Sequence, residues 1–252
     1  MRSLILCEGI DEVLILGYFL FKKAGWYYKP KEDFANDYKF PRPTKSSPAP
    51  EVYCKDDEKL AIWAVGGKDS FSRAYKLIRK ALNNTQNEYI DNVFIVADRD
   101  ENEVQECLKK IQTQLADNGI IVSELVNHSK NEYRYEIDDE ELTMNIIPIV
   151  VPFDKNGAIE TVLMEGIEEN GEEERYIVQK ANNYIDEIIE SGRLNKYLQH
   201  DRLILKARLS AAISITNPDR STGMYDNLLM SWDWEEKESV KRHFGILLDY
   251  VS

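Results

Sequence analysis

Short apolar runs alternate with amphipathic segments along the first half of the chain. Each apolar run has five or six residues and is bounded by charged or polar ones, which is typical of a strand buried in a sheet. The three strands predicted in this way cover 3–7, 61–65 and 92–97. A segment with apolar residues at helical spacing follows each strand, and these predicted helices cover 12–24, 70–83 and 103–118. This order predicts a parallel sheet with helical crossovers.

The second half of the chain is predicted to be mainly helical. Two further β-like runs at 133–137 and 144–151 extend the sheet, and helical periodicity then continues almost to the last residue. These predicted helices cover 158–167, 173–191, 203–216 and 235–251. Near the start of the chain, residues 26–58 are aromatic, charged and rich in proline, which indicates an insertion that is extended or contains a hairpin.

Together these elements predict an α/β fold with a Rossmann-like, mostly parallel sheet flanked by helices. We expect residues 1–166 to form this domain, with the insertion at 26–58. Residues 167–252 are then a helical C-terminal extension packed on it. A chain of 252 residues is long enough to bury a core of this size.

The charge balance limits the surfaces that can contact nucleic acid. The chain carries a formal net charge of −13, with a sequence pI near 4.8. A protein that grips long duplex DNA usually presents a basic face, so a nucleic acid or nucleotide substrate would need a local cluster of basic residues here. The composition is also compatible with a homo-oligomer or a protein partner.

Neither a membrane span nor a disulfide framework is predicted. No apolar run reaches the roughly 18 residues that a membrane-spanning helix requires, and the run at the N-terminus ends at Glu8 without a cleavage pattern of small residues. The three cysteines, Cys7, Cys54 and Cys107, are widely spaced and odd in number. This usage favours reduced thiols and a cytoplasmic location.

Carboxylates follow two of the predicted strands. Glu8 comes directly after the first strand, and Asp98 and Asp100 come after the third. If that third segment is extended to its end, its side chains alternate, so Asp98 and Asp100 point the same way and lie about 6–7 Å apart. Ligands of open α/β sheets gather outside the carboxyl ends of the strands. We therefore expect Glu8 to converge with the aspartate pair on a shared cation.

These acidic segments resemble the signature of the Toprim family. In that signature one strand ends in Glu-Gly-x-x-Asp, as at 8–11 here, and a later strand ends in Asp-x-Asp, as at 98–100. Toprim domains occur in topoisomerases, bacterial primases, ribosomal-RNA maturases and overcoming-lysogenization-defect nucleases. The Gly-Gly-Lys at 66–68 is similar to the glycine turn of the last group and of stand-alone members.

The resemblance covers roughly residues 1–166 and has two departures. The insertion at 26–58 is not part of a minimal Toprim core, and Asn102 stands where some members carry a further acid. No ATPase, topoisomerase or primase module accompanies the domain. The chain therefore looks like a stand-alone, poorly characterised Toprim-like family that is similar to the Toprim part of the overcoming-lysogenization-defect nucleases.

The resemblance implies roles for five residues. Asp98 and Asp100 would hold Mg²⁺ or Mn²⁺, which prefer hard oxygen ligands. Glu8 would bridge the metal or move a proton during phosphoryl transfer, with metal-bound water as the attacking group. Glu160, in the helix after the last strand, would help to hold a second cation. Lys206 would neutralise charge that develops on the phosphate.

Other interpretations of Glu160 and Lys206 remain open at this point. Glu160 would otherwise be an exposed glutamate in the first turn of a helix, where the helix dipole favours a negative charge. Lys206 lies in an apolar helical segment, and a lysine there often extends along the helix to reach solvent.

The residues of the two glycine-containing segments also have structural interpretations. Gly66 and Gly67 either approach a phosphate or simply allow a sharp turn, and Lys68 either binds a phosphate or is solvated. Gly9 belongs to the first motif, either at a phosphate or at a turn. Asp11 matches the motif too, but a residue at that position would also cap the following helix.

Two functions from different classes follow. The first is a phosphodiesterase or nuclease of Toprim type that depends on Mg²⁺ or Mn²⁺. The alternative is a non-catalytic or regulatory protein that keeps the cation site and binds a nucleotide or a partner chain. The complete acidic set favours the first, and the acidic balance with no accompanying module favours the second.

Overall fold

The computed structural model describes residues 1–30, 32–34, 40–82, 89–137, 139–193, 196–218, 228–230 and 232–251. Within these ranges the chain divides into two compact units. Unit 1 comprises residues 1–97, 102–150 and 246–252, and unit 2 comprises 98–101 and 151–245. None of the helices in the described ranges combines the length and the apolar character needed to cross a bilayer.

A seven-stranded sheet forms the centre of the fold. Its strands are β1 (Arg2–Cys7), β2 (Tyr27–Tyr28), β3 (Glu51–Lys55), β4 (Glu58–Ala64), β5 (Asn92–Asp98), β6 (Asn131–Ile137) and β7 (Glu140–Val151). The spatial order is β2-β3-β4-β1-β5-β7-β6. β1 lies between β4 and β5 and is parallel to both, with Leu4 opposite Ala61 on one side and Val93 on the other. The strands predicted at 3–7, 61–65 and 92–97 are confirmed, since all three are buried runs of the expected kind.

Antiparallel pairs stand at both edges of this sheet. The segment predicted as an insertion, 26–58, supplies β2 and β3, and β3 forms a hairpin with β4. The insertion therefore widens the sheet beyond its parallel centre. At the opposite edge β6 and β7 form a second antiparallel pair, as the prediction that they extend the sheet requires.

Four helices belong to unit 1. They are α1 (Ile10–Ala24), α2 (Phe71–Ala81), α3 (Val104–Asp117) and α8 (Ile246–Val251). α1 ends at Gly25, whose φ of 71° is left-handed and therefore suits a glycine. The next residue, Trp26, is fully buried, and its indole Nε1 donates a hydrogen bond of 2.8 Å to the carbonyl of Val251 in α8.

Four helices and a short 3₁₀ turn belong to unit 2. The helices are α4 (Ile159–Glu168), α5 (Glu172–Glu190), α6 (Asp201–Thr216) and α7 (Glu238–Phe244), and the 3₁₀ turn is Trp234–Glu236. α5 packs on α6, while α4 packs on α5, α6 and α7. The predicted mixed α/β class, with a helical C-terminal region, is thus confirmed.

The prediction of one continuous helix at 235–251 is wrong. The chain forms α7 and α8, separated at Gly245, a residue with low helix propensity. The two helices have different partners, because α7 packs on α4 and α8 packs on α1. The predicted domain boundary between residues 166 and 167 stays a prediction.

Candidate functional site

The acidic turn, residues 98–101, is held by backbone hydrogen bonds to the segment that follows β7. The Arg99 N–H donates to the carbonyl of Val151 at 2.8 Å. Asp100 and Gly157 exchange two hydrogen bonds, with N···O distances of 2.7 and 2.8 Å. The turn is therefore fixed by residues more than fifty positions away in the sequence.

Asp100 does not continue the strand. β5 ends at Asp98, and Asp100 has a φ of 55°, in the left-handed region that few residues other than glycine, asparagine and aspartate adopt. The expectation that an extended segment would carry Asp98 and Asp100 on one face is wrong at this residue. The pairing with Gly157 explains the change, because it draws the backbone of Asp100 out of the strand.

The Asp98 carboxylate lies at the N-terminal end of α4. Its Oδ1 accepts a hydrogen bond of 3.1 Å from the N–H of Ile159, the first residue of the helix. Ala158 occupies the N-cap position and has no oxygen with which to cap, so Asp98 takes over this function from another part of the chain. Asp98 is only 4% exposed, and its Oδ2 is 3.9 Å from Nη2 of Arg202.

Glu160 is buried and paired with Lys206. The two residues come from α4 and α6, and Oε1 of Glu160 is 2.9 Å from Nζ of Lys206. Glu160 is 1% exposed, so the interpretation of an exposed first-turn glutamate is wrong. Lys206 extends to a carboxylate and keeps about a third of its side chain exposed.

The second oxygen of Glu160 is also buried, and it has no hydrogen-bond partner among the described residues. Removing a carboxylate oxygen from water without supplying a donor is costly, on the order of 1–3 kcal/mol or more for a charged group. A cation or a proton would relieve that cost. The first turn of α4 thus carries a buried oxygen with the chemistry of a hard metal ligand.

Sequence reasoning missed Arg202. It precedes Lys206 by four residues, so both side chains lie on the same face of α6, one turn apart. The spacing of the two basic residues was the available signal. It had no meaning before their carboxylate partners at the start of α4 were known. Arg208, further along α6, pairs instead with Asp186 of α5 at 2.5 Å.

Glu8 is buried in unit 1 next to the glycine turn at 66–68. Its carbonyl accepts hydrogen bonds from the N–H groups of Gly66 and Gly67 at 3.1 and 2.9 Å. Both glycines have positive φ, 93° and 108°, so the sharp turn is a reason for these residue types. The Lys68 ammonium lies 3.8 Å from the Glu8 carboxylate. Lys68 is therefore an ion-pair partner of Glu8, and a phosphate-binding role for this segment stays a prediction.

The start of α1 differs from the expectation for Asp11. Gly9 occupies the N-cap position, with an extended backbone, and Asp11 lies inside the first turn. Asp11 therefore favours the helix through its charge rather than as the N-cap residue. Glu12, in the same turn, is buried and was not singled out from the sequence.

Parallel register relates the strands that precede the predicted ligands. β1 and β5 are neighbours from Ser3 opposite Asn92 to Leu6 opposite Ile95, so they end at the same edge of the sheet. Among the described residues, however, no group of three or more His, Cys, Asp and Glu side chains is arranged to hold a metal ion. The shared cation predicted for the acidic residues stays a prediction.

Comparison with known proteins supports the fold alone. Neither a family model nor a curated protein matches the chain. A solved structure does. It is a hypothetical protein from Pyrococcus horikoshii OT3, to which the chain aligns with a TM-score of 0.56 and 17% identity. The alignment covers 99% of this chain and 93% of the other, so the similarity extends through both units.

Proposed function

We propose that this protein hydrolyses phosphodiester bonds with the help of a divalent cation, Mg²⁺ or Mn²⁺. Asp98, Asp100 and Glu160 are the proposed cation ligands. The observation that carries the proposal is the buried Oε2 of Glu160, an acceptor with no hydrogen-bond partner among the described residues at the end of α4 that Asp98 also contacts. A purely structural ion pair would leave no reason to keep such an oxygen.

The conformation of the acidic turn supports the same proposal. Asp100 is held in a left-handed conformation by two hydrogen bonds to Gly157, and its side chain is partly exposed. Backbone conformations of this kind, maintained by surrounding structure, cluster at ligand-binding and active sites. Asp100 is thus a suitable ligand on the solvent side, while Asp98 and Glu160 are buried.

The chemistry divides between the cation and the side chains. When bound, the cation would neutralise the carboxylates and polarise a phosphoryl oxygen. Lys206, already directed at Glu160, would stabilise negative charge that develops on the phosphate. Glu8 keeps its proposed role as a bridging ligand or as the acid or base that moves a proton. Nucleic acid or a nucleotide is the proposed substrate, and the cytoplasm the proposed location.

A cation-dependence assay tests this proposal. The full chain is incubated with single-stranded, duplex and supercoiled DNA, with RNA and with short nucleotides, in the presence of Mg²⁺, Mn²⁺ or a chelator. We expect cleavage that requires the cation and is lost in Asp98→Asn, in Asp100→Asn and in Glu8→Gln. Asp69→Asn is the matched control, because the Asp69 side chain is 99% exposed and pairs loosely with Lys110 at 3.9 Å.

Asp98→Asn is preferred to an alanine substitution because the amide oxygen can still accept the hydrogen bond from Ile159. Loss of activity in this variant would therefore reflect the lost charge and not a lost helix cap. Cleavage that persists in Asp98→Asn, or that survives the chelator, would show that the activity comes from another site or from a contaminant.

A second function is favoured by the ion pairs. Glu8, Asp98 and Glu160 each have a basic side chain within 4.0 Å in the cation-free structure. Carboxylates neutralised in this way suit a regulatory protein that binds a nucleotide or a partner without turnover. Isothermal titration of a nucleotide with and without Mg²⁺ separates the two: saturable binding with no product would favour this alternative.

A further inference from the structure

Two ion pairs stand side by side at the start of α4. Arg202 faces Asp98 and Lys206 faces Glu160, at 3.9 and 2.9 Å, and the two basic residues are one turn apart on α6. The two carboxylates are equally close along the chain, because Asp98 is hydrogen-bonded to the residue before Glu160. α6 thus presents two positive charges to two proposed cation ligands.

The carboxylates cannot serve both kinds of cation equally well. In the structure the formal charges of these four side chains sum to zero, with Arg202 and Lys206 as the internal counter-ions. A divalent cation bound by the same carboxylates would bring the sum to +2. Positive charges brought together in a buried site repel unless an anion compensates for them. The orphan Oε2 of Glu160 is the position at which an incoming cation would meet least opposition.

We infer that Arg202 and Lys206 compete with the divalent cation for Asp98 and Glu160, and that cation binding releases both basic side chains for the phosphate of the substrate. This inference rests on the proposed function and adds an order of events to it. The cation binds first, and the phosphate binds to the site that the cation has made positive. By linkage, the phosphate strengthens cation binding by the same factor.

Cation affinity is the first measurement. Mn²⁺ binding to the full chain is followed by isothermal titration for the wild type, Arg202→Gln and Lys206→Met. Removal of a competing charge is expected to tighten Mn²⁺ binding at least about fivefold, the lower end of common coupling factors. Arg208→Gln is the matched control on the same helix, because its partner is Asp186, and it should leave the affinity unchanged.

Phosphate binding is the second measurement, and it does not depend on Lys206→Met folding normally. The double variant Asp98→Asn/Glu160→Gln removes both negative charges, as a bound cation would. We expect it to bind thymidine 5′-monophosphate in the presence of a chelator, while the wild type binds the same nucleotide only with Mg²⁺. Equilibrium dialysis measures both.

The outcomes separate the two proposals. If the wild type binds no Mn²⁺, both the cation site and the competition are wrong. If the wild type binds Mn²⁺ but Arg202→Gln and Lys206→Met bind it no more tightly, the competition alone is wrong and the proposed function stands. The inference is also overturned if the double variant fails to bind the nucleotide without a cation.

Discussion

Gly157 is the residue at which a single methyl group should do most damage to the acidic turn. Its φ is +140°, and its backbone exchanges two hydrogen bonds with Asp100. A Cβ added here would lie 2.2 Å from Oγ1 and 2.9 Å from Cβ of Thr161, closer than atoms of a folded protein approach. The Gly157→Ala variant must therefore move either the backbone of the turn or the first turn of α4.

The expected loss of stability has two parts. A residue with a side chain, held in a backbone conformation normally reserved for glycine, costs about 1–3 kcal/mol. Thr161 Oγ1 also accepts a hydrogen bond from the N–H of Ala158 at 3.3 Å, and displacing it removes a cap worth about 1 kcal/mol. Gly157→Ala should therefore lower the free energy of unfolding by about 2–4 kcal/mol, the sum of the two parts.

Urea unfolding of the full chain, followed by circular dichroism, measures this loss. Gly192→Ala is the matched control, because Gly192 also has a positive φ, 65°, but a Cβ there meets nothing within 4 Å. The control should lose only the backbone part, about 1–2 kcal/mol. If Gly157→Ala is no more destabilising than Gly192→Ala, the close packing against Thr161 is wrong. The variant should also bind Mn²⁺ more weakly.

Two further predictions concern unit 1. In Gly17→Ala a methyl group would lie 2.1 Å from Oη of Tyr53, so urea unfolding should show a loss of about 1–3 kcal/mol, although alanine normally stabilises a helix; a gain, or no recovery on adding Tyr53→Leu, would contradict this packing. Burial lowers the pKa of His128 below its usual value of about 6.5, so the folded state binds fewer protons than the unfolded state and is destabilised as the pH falls below about 6.5. His128→Asn, which suits the φ of 55° at this position, should lose stability less than the wild type between pH 7.5 and pH 5.5, and equal losses would refute the reasoning.

The parallel centre of the sheet could be predicted because burial on both faces leaves a clear mark on the sequence. β1 and β5 are continuous apolar runs, and the helices α1 and α3 end at Gly25 and near Gly119, both with positive φ. The edge strand β2 has two exposed tyrosines and no such mark. It becomes a strand by pairing with β3, which is information from another part of the chain.

The candidate site was predictable as a set of residues but not as an arrangement. The order of the acidic motifs pointed to Asp98, Asp100 and Glu160 before any coordinates. The left-handed turn at Asp100 depends on Gly157, and the role of Arg202 depends on which helix faces Asp98. Both are consequences of tertiary contacts between residues far apart in sequence, which neither spacing nor periodicity contains.

The discontinuity of unit 1 has a consequence for biosynthesis. All seven strands have been translated once β7 is complete, but α8, which supplies the acceptor for the Trp26 indole, follows only after the whole of α4 to α7. At about 5–20 residues per second, the ribosome needs on the order of 5–20 s for that stretch. Throughout this interval the nascent sheet lacks its last helix, and Trp26 and the α1 surface that α8 covers are exposed to chaperones.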